Sequence, residues 1–394
     1  EFSESLIAQL EIELNEEKEI KDLTERIKED SSFSIKFDSL EAISENIFSG
    51  MKEKINDFTG ISVSPQTRMN YPNLDDLKKL KGRKVFAASN AGKFVEELFE
   101  AVSKKDTKKI SSLIEQDAAK YFVYSTYAIQ YLSKISTTYG DYLDNVIYLN
   151  KFVLSSYPQI ILYRQGKPYE PKFESIKSGY VGALKMTILE EMVHSIQENL
   201  QEMNKNAAMN VNAINEELAK IILGLDDKTV ANLSEYLQLQ AVPDNFPIAK
   251  RANLFFMLNP DNFIVNVLGP DVMTFTRVEI DPKISETVPQ LLDIYQRWLK
   301  PIQAHHAAFT TMEGMAEFIV QNMLKDDADF LHYLTSFVGT DISSYQVRKS
   351  LGKDFTKIVF EKFGKKTFKI LIDDPPSTKE LKEPTLYLKR KSDI

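Results

Sequence analysis

Hydrophobic residues recur every three or four positions over most of this chain, and that spacing predicts helices. In residues 4–30 they form one apolar face on a very acidic segment, which predicts a long amphipathic helix or a short coiled coil. The same spacing predicts further helices over about residues 38–58, 180–222, 285–298, 302–324 and 345–363, and three or four helices across residues 88–157.

Three segments instead have the composition or the alternation typical of strands. They are residues 158–171, residues 262–282 with two strands joined at Gly269-Pro270, and "TFKILI" at residues 367–372. Pro301 predicts a break between two helices, and the proline, glycine and asparagine content of residues 60–76 predicts a linker. These patterns together predict a mainly helical α+β fold.

Composition limits the function classes. Forty-nine basic and 57 acidic residues give a net charge of -8, so we expect neither a nucleic-acid surface nor a polybasic membrane patch. The chain has no cysteine and four histidines, so a metal ion would need histidine, aspartate or glutamate ligands. No apolar run reaches the roughly 18 residues of a membrane span. We therefore expect a soluble chain, although it starts with Glu1 and could have lost a leader or anchor, and its compartment stays open.

The stretch "ILEEMVHSIQENLQ" (188–201) is the main candidate for chemistry. Residues four apart lie on one helix face, so Glu190 and His194 can bind one metal ion while Glu191 lies beside them. Glu313, followed by Gly314, is a candidate third ligand, because the small residue allows a close approach of another helix.

An ordinary amphipathic helix is the competing interpretation of the same stretch. It would bury the apolar residues and leave the acidic residues in solvent. The residues that it buries are Ile188, Met192, Ile196 and Leu200.

Three segments together resemble a family. "EEMVHSIQENL", the later "EGMAEF" and the terminal "DDPPSTKELKEPTLYL" are similar to a group of gluzincin metallopeptidases with H-E-x-x-H-x-x-Q, E-G-x-A and a terminal P-P-x-S-T signature. The resemblance implies a zinc-dependent peptidase, with one zinc ion per chain and a peptide or protein substrate. It makes His194 and Glu313 zinc ligands, Glu191 the general base on metal-bound water, and Gln197 a supporting residue.

The chain divides into four parts. Helical spacing and the linker predict long N-terminal helices in residues 1–75 and a helical region leading into the metal-motif helix in residues 76–204. The resemblance implies an insertion in residues 205–300 and the C-terminal part of a gluzincin-like core in residues 301–394.

Glu190 stands where the family has histidine, and this departure matters for the metal. A carboxylate can bind zinc, but its extra negative charge should raise the pKa of metal-bound water and favour harder divalent ions. A catalytically degenerate peptidase fold that holds no metal and acts as a binding or scaffold module is therefore an alternative.

Three further residues have candidate roles. Glu317 lies one turn after Glu313 and could support it, His306 could replace the missing histidine, and Tyr345 could donate to an oxyanion. A second alternative is a di-iron helical bundle, because Asp329-x-x-His332 repeats the spacing of Glu191-x-x-His194.

Overall fold

The computed structural model describes residues 7–8, 10–11, 18–19, 21–22, 25, 39–136, 138–155, 157, 173–260, 278–336 and 344–392. Within these residues the protein is mainly helical, with 17 helices and one small sheet, as the sequence predicts. None of the helices in these ranges has both the length and the apolar character that a membrane span requires.

The elements are numbered in chain order. The helices are α1 (Leu40–Thr59), α2 (Leu74–Ala87), α3 (Lys93–Ser103), α4 (Thr107–Gln116), α5 (Ala118–Ser133), α6 (Lys151–Ser155), α7 (Phe173–Ser195), α8 (Glu198–Leu223), α9 (Asp227–Tyr236), α10 (Pro247–Leu258), α11 (Pro282–Thr287), α12 (Gln290–Leu324), α13 (Ala328–Ser336), α14 (Ser344–Phe363), α15 (Lys366–Asp373), α16 (Thr378–Lys382) and α17 (Pro384–Arg390). The strands are β1 (Arg68–Asn70), β2 (Gly140–Leu143) and β3 (Val146–Leu149).

The sheet has the order β1-β3-β2, with β1 parallel and β2 antiparallel to β3. The turn between β2 and β3 is Asp144-Asn145, and both residues have positive φ angles, of 50° and 63°. Asn and Asp tolerate that conformation and favour two-residue hairpin turns. Hydrophobic spacing predicted only helices in residues 88–157, and this prediction is wrong for the hairpin. Its two strands have four residues each, too few for the alternation to be recognised.

Two further predictions in the C-terminal half are wrong. Residues 367–372 belong to helix α15, in which Phe368, Leu371 and Ile372 lie on one buried face. A six-residue apolar run fits either structure, and here the helical spacing decides. Pro301 does not end a helix but lies inside α12, where Trp298 and Ile302 are buried on either side of it. Burial of such side chains can outweigh the roughly 3 kcal/mol cost of an internal proline.

Other predicted elements are described only in part. Residues 158–171 and 262–277 lie outside the described ranges, and residues 278–281 belong to no helix or strand. The described residues of the segment 4–30 are helical, and the helix predicted over 38–58 is α1. The predicted helix 180–222 is two helices, α7 and α8, with a break between Ser195 and Glu198.

Two apolar clusters form the interior. The larger includes side chains from α2–α5, α8, α10, α12, α14 and α15, among them Trp298 and Leu218 of the segment 205–300 that the sequence analysis expected to be an insertion. The smaller joins α1 and β3 to α7, with Val320 of α12 and Phe330 of α13. Helix α7 lies against α12, β2 and β3, so the polar residues of its last turns are held between these elements.

Candidate metal centre

Glu190, Glu191 and His194 lie in the last two turns of α7. The apolar residues next to them, Ile188, Leu189, Met192 and Val193, are fully buried. Ile196 and Leu200, the other two residues that the amphipathic interpretation placed in the interior, are buried too. Its other expectation, acidic residues in solvent, is wrong for Glu191, which is only 9% exposed. The C-terminal end of α7 therefore carries carboxylates in the protein interior.

The break after α7 orients the His194 ring. Gln197 lies in this break, fully buried, and its side-chain Nε2 donates to the carbonyl oxygen of Met312 at 2.9 Å. That bond leaves Gln197 Oε1 to accept from His194 Nδ1 at 2.8 Å. Because Oε1 can only accept, the proton is on Nδ1, and the Nε2 lone pair of the neutral ring is available to a metal ion.

A contact between two glycines positions Glu313. A Cβ on Gly314 would lie 2.1 Å from the backbone carbon of Gly352, and a Cβ on Gly352 would lie 1.9 Å from the Thr310 carbonyl oxygen. Helices α12 and α14 can cross this closely only because neither residue has a side chain. The close approach that the sequence analysis inferred for Gly314 is confirmed.

Glu190, His194 and Glu313 form one group. Each offers a ligand atom, and these three atoms lie within 4.8 Å of one another, with His194 Nε2 3.7 Å from Glu313 Oε1. One nitrogen and two carboxylate oxygens are donors that zinc accepts, and oxygen-rich sets also suit manganese or magnesium. The chemistry of the donors and their separations fit one divalent ion. This is the set of ligands that the sequence analysis named.

Lys349 of α14 also reaches this group, and the sequence patterns did not single it out. Lys349 Nζ lies 2.5 Å from Glu190, 3.9 Å from Glu313 and 4.0 Å from Glu317, and its side chain is only 13% exposed. Lys353 Nζ lies 3.5 Å from Glu317. Glu317 is therefore linked to the group through Lys349, and it also accepts a hydrogen bond from Gln321 at 2.8 Å.

A second buried charge cluster borders Glu191. Asp141 of β2 pairs with Lys81 at 2.7 Å and with Lys84, both from α2. Next to Asp141, Gly140 passes so close to α7 that a Cβ there would lie 3.3 Å from Glu191 Cγ. The edge strand β2 thus packs against the Glu191 side chain. This arrangement depends on the hairpin that the sequence analysis missed.

These surroundings change the proton affinity of Glu191. Burial raises the pKa of Glu191 to about 8, and the negative charges of Asp141 and Glu190 act in the same direction, against the opposing effects of His194 and Lys84. Without a bound cation, this carboxyl therefore holds a proton near neutral pH.

The two α7 ligands respond differently. Burial acts to raise the pKa of Glu190, but Lys349 and His194 outweigh burial and lower it. Burial acts to lower the pKa of His194, but Glu313, Glu191 and Glu190 outweigh it and raise the pKa. The group thus favours a charged carboxylate at Glu190 and a protonated His194, and a metal ion would have to displace that proton.

His306 does not belong to this group. His306 is fully buried, its Nδ1 accepts from Arg348 at 3.3 Å, and burial lowers its pKa to about 2. It is not among the grouped ligands, and neither is the neighbouring His305. Tyr345 lies in the first turn of α14, and its side chain is outside the described residues.

The second pair of the di-iron alternative has other partners. Asp329 bonds to Ser178 at 2.7 Å and Lys185 at 2.8 Å, and His332 Nδ1 lies 2.6 Å from the same Ser178 hydroxyl. Within the described ranges, Glu190, His194 and Glu313 are the one group arranged to hold a metal ion.

A groove of about 700 Å³ lies elsewhere on the surface, between α12 and the segment that leads into α16. Its lining includes Pro375, Pro376, Ser377 and Thr378 of the terminal motif, but none of the three grouped ligands. Ser377 is the N-cap of α16 and forms a capping box with Glu380. In this structure the Pro-Pro-Ser-Thr segment begins a helix and does not enter the metal group.

Comparison of the chain with protein-family models, with curated proteins and with solved structures gives no match.

Proposed function

We propose that this protein is a gluzincin-like hydrolase that cleaves peptide bonds with one divalent ion, most simply zinc, held by Glu190, His194 and Glu313. The observation that carries the proposal is the separation of the three ligand atoms, all within 4.8 Å of one another. Such an ion would supply Lewis acidity, which polarises a substrate carbonyl and activates water.

The chain's own residues have distinct roles in this proposal. Glu191 follows directly on the ligand Glu190 and accepts the proton that the nucleophilic water loses. Its position under β2 keeps solvent away, which strengthens electrostatic interactions at the carboxyl. Gln197 holds the His194 ring through Nδ1, which would leave Nε2 available to the ion. The substrate is a peptide or protein segment.

The first experiment measures metal content and hydrolysis on the same samples. Protein purified without added metal should contain about one zinc or other divalent ion per chain, and it should hydrolyse a peptide mixture. Glu191→Gln should keep the metal and lose at least about a hundredfold in rate, the usual contribution of a general base. Glu202 is an exposed glutamate on α8, so Glu202→Gln is the matched control and should hydrolyse peptides at the full rate. Hydrolysis that is unchanged in Glu191→Gln would refute this role for Glu191.

A non-catalytic binding or scaffold protein is the second candidate, and the 2.5 Å contact of Lys349 with Glu190 favours it. That ion pair gives Glu190 a partner in a protein that holds no metal. Purified protein without any bound divalent ion, and with no uptake of added zinc, would favour this candidate over the hydrolase. Two irons per chain would instead support the di-iron bundle, which the separate partners of Asp329 and His332 do not favour.

A further inference from the structure

Lys349 brings a positive charge to the carboxylates that would bind the metal. Its ammonium lies within 4.0 Å of Glu190, Glu313 and Glu317, and the shortest of these contacts, 2.5 Å, is to the ligand Glu190. The Lys349 side chain is 13% exposed, and those of the three glutamates are 10–18% exposed. Water therefore screens these charges far less than at a surface pair.

A divalent ion bound by Glu190 and Glu313 would bind two of the carboxylates that Lys349 contacts. The ammonium and the ion would repel each other in a poorly screened site, so both cannot have their best contact with Glu190 at once. The binding of an ion therefore requires Lys349 to give up its contact with Glu190.

Glu317 offers Lys349 a second place. It lies one turn beyond Glu313 on α12, is not among the grouped ligands, and is already 4.0 Å from Lys349 Nζ. Since a lysine side chain is long and flexible, its ammonium can move from Glu190 to Glu317 without a shift of α14.

We propose that Lys349 is a tethered cation that competes with the metal ion for Glu190, and that it moves to Glu317 when the ion binds. Lys349 thereby sets the metal affinity of the site and holds the ligands together while the site lacks an ion. This inference rests on the proposed metal centre, but not on the hydrolytic reaction.

Zinc affinity of the full chain tests the competition. Zinc is titrated in competition with a chromophoric chelator, after removal of bound metal, and dissociation constants are compared. Lys349→Met should bind zinc at least about tenfold more tightly than the wild type, because a poorly screened like charge is removed. Lys349→Arg retains the charge and should stay within about threefold of the wild type. Lys357→Met removes an exposed lysine from the same helix and is the matched control, which should change little.

Two further variants test the site and the second position of Lys349. Glu313→Gln, added to Lys349→Met, should abolish the gain in affinity if the ion binds at this group. Glu317→Gln should weaken zinc binding several-fold when Lys349 is present and have no effect in Lys349→Met. Such a dependence of one substitution on the other is the signature of a direct interaction.

Unfolding provides a readout that is independent of binding. Without metal, Lys349→Met leaves Glu190 without the 2.5 Å contact, so its unfolding midpoint should fall below that of the wild type. Saturating zinc should raise the midpoint of Lys349→Met more than that of the wild type. If Lys349→Met folds poorly, Lys349→Gln removes the same charge and retains a polar end.

The possible results separate the two proposals. Equal zinc affinities of the wild type, Lys349→Met and Lys349→Gln would overturn the competition and leave the metal centre intact. No zinc binding by any of these proteins would overturn the metal centre and the competition with it. Tight zinc binding together with unchanged hydrolysis in Glu191→Gln would overturn the hydrolytic mechanism alone.

Discussion

Gln197 offers the most direct test of how the site is held together. Its side chain is fully buried and makes two hydrogen bonds, from His194 Nδ1 at 2.8 Å and to the Met312 carbonyl at 2.9 Å. Gln197→Met keeps the length of the side chain but removes both bonds. A buried N–H group and a buried carbonyl are then left without these partners.

The expected loss of stability follows from those two groups. Each unsatisfied buried group costs about 1–3 kcal/mol, and the added apolar side chain returns about 1–2 kcal/mol. We therefore expect Gln197→Met to lower the free energy of unfolding by about 2–3 kcal/mol, measured by urea denaturation of the metal-free protein. Because His194 also loses the partner that fixes its ring, zinc affinity should fall by about 10–100-fold.

Gln201→Met is the control for this experiment. Gln201 donates to the backbone carbonyl of His194 at 2.7 Å, but it does not touch the ring and is only half-buried. Water can replace its bond, so the loss in unfolding free energy should stay below about 1 kcal/mol, with zinc affinity unchanged. If Gln197→Met and Gln201→Met have the same effects on stability and on zinc affinity, the role assigned to Gln197 is refuted.

Two of the three grouped residues could be predicted from the sequence because they depend on short-range spacing. Glu190 and His194 are four residues apart on one helix, so any helix through them places both on one face. Glu313 was inferred from the following glycine, and the contact of Gly314 with Gly352 is the physical basis of that inference. Helical periodicity also predicted most of the helices correctly.

The charges around the ligands could not be predicted in the same way. Lys349 of α14 reaches Glu190 of α7 across 159 positions of sequence, and they meet because both helices pack against α12. The ion pair of Asp141 with Lys84 forms beside Glu191 only because Asp141 lies in a hairpin, whose four-residue strands are too short for periodicity to reveal. Hydrophobic spacing predicts which face of a helix or strand is buried. It does not predict which charged residue of another element lies opposite that face.

His306 illustrates the same limit from the other direction. Spacing alone allowed it to share a helical face with Glu313, seven residues later. The structure buries it beside Arg348, whose guanidinium donates to Nδ1 and, after burial itself, contributes to the lowered pKa. A position on the right face is thus necessary for a ligand but does not determine its partner.

Two substitutions test the packing and the electrostatics of the site. Gly352→Ala would put a methyl group 1.9 Å from the Thr310 carbonyl oxygen, so urea denaturation should show a loss of about 3 kcal/mol or more, whereas Gly50→Ala, with open space around it, should be neutral or slightly stabilising. Equal effects of the two substitutions would contradict the close crossing. Glu191→Gln tests the raised pKa. In the folded protein the raised pKa keeps the Glu191 carboxyl protonated above its ordinary pKa of 4.5, up to about pH 8. The stability that this carboxyl contributes is therefore complete below pH 4.5 and is lost as the pH rises through about 8. Glutamine stays neutral at every pH. Without metal, the free energy of unfolding of Glu191→Gln should therefore rise relative to that of the wild type as the pH rises, by about 3 kcal/mol or more at pH 8. Urea unfolding at several pH values measures this difference. Glu202 is exposed, so for Glu202→Gln the curve of unfolding free energy against pH should be parallel to that of the wild type. If the Glu191→Gln curve is also parallel, burial does not raise the pKa of this carboxyl, and Glu191 is ionised in the metal-free site.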